Sequence, residues 1–142
     1  MGELSRQDAM RMLLDGIAAD LSAYQRMLAL IEAQFEAAIR HQSEQLGDVA
    51  KEISALVDVL EARRAQRLEL ATRLVGPTPS MAQVFALLKP EPRARLEAEW
   101  AQLEGMVQAA RELGRRNADL LAEQYMIMQR VLHGDDQTYE PA

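Results

Sequence analysis

The sequence contains no cysteine, which removes a disulfide framework, a thiolate nucleophile and any zinc site built on thiolates. Aromatic residues make up only 4% of the chain, and no proline occurs before Pro77. No run of about 18 apolar residues is present to cross a membrane. The N-terminal stretch carries Glu3, Asp8 and Asp15 and no sustained apolar core, so it does not read as a secretory signal. Arg6 also stands where a myristoylation pattern needs Ser or Thr. These absences point to a cytoplasmic protein with no membrane insertion. Basic residues are in deficit as well: the net charge is −6 and the pI near 5.0, a balance that repels phosphate, so no nucleic acid is expected as a partner.

What remains is a helix-forming composition. The apolar share is 49%, drawn mainly from Ala, Leu, Met, Val and Ile, and it is mixed with Glu, Gln and Arg. Unbranched side chains lose little rotamer freedom in a helix. A chain of 142 residues corresponds to one domain with one modest core. In the first segment Met10, Leu14, Ile17, Leu21, Tyr24, Leu28, Ile31, Phe35 and Ala38 recur in steps of four and three. That heptad stripe predicts one helix from about Leu4 to about Glu44, roughly 60 Å long. Gly47 marks the expected turn. Val49, Ile53, Leu56, Leu60, Leu68, Ala71 and Val75 then form a second stripe, interrupted by Arg63, Arg64 and Arg67 and ended by Gly76-Pro77. The arginines read as a solvated helix face, with an anion or partner site as the alternative.

Ser80 and Gln83 fit a capping box ahead of a short helix whose apolar face is Met81, Val84, Phe85 and Leu88. The last helix is expected from around Pro92 to Leu132, with Gly134 as its stop. Its stripe includes Asn117, a polar residue at a core heptad position, where such residues fix register. The fold expected is all-α: an elongated antiparallel bundle of three long helices with coiled-coil-like packing, plus one short helix between the second and last long helices. Residues 1–133 form the single domain, and 134–142 a flexible C-terminal tail.

Catalysis needs converging groups, and few are available. His41 and His133 are the only histidines, and both are expected near helix C-termini, where the macrodipole already favours an imidazolium. Ala38 and Arg130 stand three residues before them, where a carboxylate-bridged metal bundle would place Glu. No glycine-rich phosphate loop or nucleophile elbow occurs. No enzyme activity, cofactor or metal is expected.

One segment departs from a plain bundle. Tyr125, Met126, Ile127, Met128, Val131 and Leu132 are apolar around much of the helix circumference, more than one bundle face can bury. Such a surplus reads either as a face that takes an amphipathic helix from another protein, or as a homodimer interface or a seat for the short helix. Tyr139 is a lone aromatic on a polar tail, able to anchor a folded partner.

Residues 96–132, with Trp100, Leu103, Leu113, Asn117 and Leu121, followed by a short loop and the ending QTYEPA, resemble the C-terminal half of the FlgN family of flagellar export chaperones. Leu60, Glu61, Arg63 and Arg64 are similar to a segment of that family's second helix. The chain departs from the family pattern at Gly114 and Ala118, where members often carry Asn and Gly, and in ending on Glu140-Pro141-Ala142. The resemblance implies a cytoplasmic type III export chaperone that binds the C-terminal helices of hook-filament junction proteins. Such a protein holds them back from premature assembly or degradation and passes them to the flagellar export gate. It further implies Leu121, Tyr125, Met126, Met128, Val131 and Leu132 as client-binding residues and Tyr139 as the export-gate contact. Trp100 and Asn117 would set structural register. The alternative is a structural or adaptor coiled coil that uses the same apolar face to form a homodimer.

Overall fold

The computed structural model describes the backbone of residues 4–139 and the side chains of residues 4–134. Those residues form helices only: α1 (Arg6–Ile39), α2 (Ser43–Val75), the short α3 (Met81–Phe85) and α4 (Pro90–Tyr139). Three are long and one is short, in the expected order. The Ser5 side chain accepts a hydrogen bond from the Asp8 amide at 3.0 Å and so starts α1. The expected capping box on α3 is formed, with Ser80 and Gln83 each bonding the other's backbone. Pro90 and Pro92 both sit in the first turn of α4, where a missing N–H costs nothing.

Two boundaries differ from those expected. The first turn falls at His41 rather than Gly47. There the Gln42 amide donates to the Ala37 carbonyl and the His41 amide to that of Ala38, the paired reversal that closes a helix through a left-handed residue. His41 takes that left-handed position, with φ 55°, although glycine usually fills it, and Gly47 lies inside α2. At the other end α4 does not stop at Gly134 but continues to Tyr139. A glycine within a helix costs only about 1 kcal/mol, too little to end one by itself. Glu140, Pro141 and Ala142 lie outside the described residues, as does the side chain of Tyr139.

Cross-helix bonds give the directions. Arg26 meets Glu52, Asp20 meets Arg63 and Arg67, and Arg6 reaches the Leu74 carbonyl, so numbers fall along α1 as they rise along α2. Asn117 meets Ile31, Arg116 meets Glu32, and Gln124 meets Ala38, so α4 runs in the same sense as α1. Both α2 and α4 pack along α1, while among the described residues no Cα of α2 lies within 8 Å of one on α4. The backbones of α2 and α4 therefore each pack on α1, while their side chains meet in shared core clusters. This explains why α1 buries more than one stripe. Ala9, Leu13, Ile17, Asp20, Ala23, Met27 and Leu30 are buried, and the neighbouring Met10, Leu14, Leu21, Tyr24 and Leu28 are half-buried beside them.

Asp20, only 2% exposed, lies in the α1 seam and is held by Arg63 and by Arg67, the latter at 2.6 Å. Their side chains are 26% and 17% exposed, so the expected solvated arginine face holds for Arg64 alone. Arg63 and Arg67 are one helical turn apart, and the pairing of α1 with α2 turns both inward onto the carboxylate. The Arg67 guanidinium also lies 5.3 Å from the centre of the Trp100 ring. Trp100 in turn meets Phe85 edge-on at 6.3 Å, and Phe85 with Val84 plugs α3 into the core.

Removing the carboxylate leaves two half-buried cations without a partner. Asp20→Ala is expected to cost about 3 kcal/mol and to lower the melting temperature by roughly 10 °C, measured by circular dichroism and urea unfolding. A loss under about 1 kcal/mol would mean that water serves the arginines as well as Asp20 does.

Candidate functional site

The lower part of α4 is anchored by an amide. Asn117, 1% exposed, donates to the Ile31 carbonyl at 2.7 Å and to Gln34 Oε1 at 2.9 Å. Its own oxygen accepts from the Arg116 guanidinium at 3.1 and 3.2 Å. Arg116 also bonds Glu32 and covers the Phe35 ring at 3.7 Å. One helical repeat later Gln124 donates to the Ala38 carbonyl at 3.0 Å. Ala38 lies in the last turn of α1, which ends at Ile39.

Beyond Gln124 the fourth helix continues, and among the described residues its large apolar side chains there are exposed. From Tyr125 to Tyr139 it extends roughly 22 Å at the α-helical rise. Tyr125, Met126, Ile127, Met128, Val131 and Leu132 are each between 51% and 65% exposed. Leu121 is half-buried where this free end joins the packed part. The structure thus gathers the six predicted client residues, Leu121 to Leu132, on one stretch of helix. Trp100 and Asn117 lie apart from it, in the packed region. Tyr139 closes α4.

The six do not share a face. Met126 lines a shallow recess with Asp119, Ala122, Glu123, Ile127 and Arg130, a charged surface. Sequence reasoning also missed a residue at the junction: Ile39, 48% exposed, at the very end of α1. In the heptad pattern Ile39 falls off the stripe that ends at Ala38, one residue beyond the carbonyl that Gln124 reaches.

A deeper recess of ≈ 480 Å³ opens between α2 and α4, with Tyr24, Leu60, Trp100 and Leu103 in its wall and Glu104 and Arg111 at its sides. Burial first, and then the charge of Asp20, push the Tyr24 phenol above its usual 10.0, so it stays neutral. The flanking charges are of both signs, and the lining selects no one class of ligand. The recess follows from α2 and α4 being held apart by the α1 seams.

A family model described as FlgN protein matches residues 10–134, a span that takes in α1 from Met10, all of α2 and α3, and α4 through Gly134. No curated protein and no solved structure matches the chain.

The exposure of the free end predicts that its side chains carry no weight in folding. Changing Met126→Asp together with Met128→Asp should leave helicity unchanged and shift unfolding by no more than about 0.5 kcal/mol per site. A double variant that unfolds would place these residues in a core.

Proposed function

The chain belongs to the FlgN family, a chaperone family, and from that membership we propose that it is a cytoplasmic flagellar export chaperone that binds the C-terminal helical segments of hook-filament junction proteins. The observation that carries this reading is the free end of α4, an apolar helix surface that this chain leaves uncovered. A client segment destined to pair with helices in an assembled filament presents an apolar stripe with no partner before export. A second helix offering matching apolar side chains covers that stripe, prevents premature assembly or degradation, and gives it up when a better partner arrives. Methionines suit the task because their flexible, polarizable side chains adapt to more than one shape.

Release limits the affinity. Dissociation constants of roughly micromolar to tens of nanomolar, about −8 to −10 kcal/mol, are strong enough to hold a client and weak enough to surrender it. Delivery to the export gate is assigned to the end of the chain, with Tyr139 as the contacting residue.

Calorimetric titration of the purified protein with a C-terminal helical peptide from a junction protein, alongside a filament-protein peptide, tests the reading. One-to-one binding of the junction peptide alone is the expected outcome. A stable dimer in light scattering with no peptide binding would replace it with the adaptor coiled coil. Deleting residues 135–142 should spare peptide binding and reduce secretion of the client; undiminished secretion would remove Tyr139 from the scheme.

A further inference from the structure

The free end of α4 continues the interface already made with α1. Taking Gln124 as the direction of α1, the helical rotation of 100° per residue places Leu113, Asn117 and Leu120 within about 40° of that line, on the packed side. The same rotation carried forward places Val131 about 20° and Met128 about 40° from it, with Ile127 at about 60° and Leu132 at about 80°. Tyr125 stands at the edge, at about 100°, and Met126 points about 160° away, in agreement with its place beside Asp119, Glu123 and Arg130. From Gln124 to Leu132 the side of α4 that packs on α1 therefore stays apolar past Ile39, and what ends there is α1.

We propose that the client helix seats coaxially with α1, taking up the α4 seam where α1 leaves off. This rests on the chaperone reading and says which face is used and in what arrangement. Met128 and Val131 form the centre of the seat, Ile127 and Leu132 its sides and Tyr125 its rim, while Ile39 and the turn at His41 form the stop against which one end of the client rests. Met126 lies outside it. The occupant is an amphipathic helix whose apolar stripe covers at least the roughly two turns from Tyr125 to Leu132. Its stripe toward α4 repeats in threes and fours, as Ile31, Gln34 and Ala38 do in the part of the seam that α1 fills. Continuity with the α1 interface sets this choice, and on the flank of Met126 a second helix would meet Asp119, Glu123 and Arg130.

The test uses the full chain and a junction-protein C-terminal helical peptide, titrated by calorimetry into the unaltered protein and into Met128→Asp, Val131→Asp, Met126→Asp and Ile39→Lys, each first checked for an unchanged melt. A carboxylate in the seat removes a buried apolar contact and should weaken binding at least tenfold for Met128→Asp and Val131→Asp. Met126→Asp should stay within about threefold of the unaltered protein, and Ile39→Lys should fall in between. If Met126→Asp costs as much as Met128→Asp, or if both seam variants bind normally while the unaltered protein binds, the coaxial seat is wrong and the chaperone reading stands. If the unaltered protein fails to bind the peptide, both fall.

Discussion

The carboxylate of Asp20 is the contact on which the arrangement of the helices depends. It sits in the seam of the helix whose backbone packs closely on both long partners, and it is sheltered from water. A buried anion must be matched by cations at short range, so α2 can lie against α1 only where Arg63 and Arg67 both reach it. Through Arg67 the constraint passes to Trp100 on α4, and through Trp100 to Phe85 on α3. One charge thereby touches or orients all four helices. Stripes of leucine and alanine hold helices together without deciding how far one slides along another.

Asn117 does for α4 what Asp20 does for α2. Asp20 and Asn117 are the two buried polar side chains among the described residues, and each secures one partner of α1. The amide sets how much of α4 projects beyond Ile39, since a slide of one heptad would lengthen or shorten the free end by roughly 10 Å. The exposed apolar surface is thus a product of register and length together. Its side chains resemble those of the packed seam; they are uncovered because α1 turns back at His41.

The division of labour also separates stability from binding. The packed part carries the core, the polar bonds and the ring contacts, from Ala9 to Gln124. The free end contributes little to folding, so its composition is open to the demands of a partner. In this member of the FlgN family the proposed client seat therefore lies outside the packed core.

Heptad spacing, the proline positions and the capping residues were sufficient to read an all-helical chain with three long helices and a short one, along with the capping box at Ser80 and the end of α2 at Gly76. Those features are local: they depend on backbone preferences and side-chain period within a few residues. The apolar surplus from Tyr125 to Leu132 was legible for the same reason, since it is a statement about one helix. The turn at His41 was not, because a non-glycine residue fills the left-handed position. The inward turn of Arg63 and Arg67 was not either, since their partner lies on another helix and depends on where that turn falls. By itself the sequence determined the helices and the existence of uncovered apolar surface. Only the tertiary structure decided which of those side chains continue the α1-facing side of α4, because that depends on where α1 stops along α4, a relation between residues some 85 positions apart joined by Asn117 and Gln124.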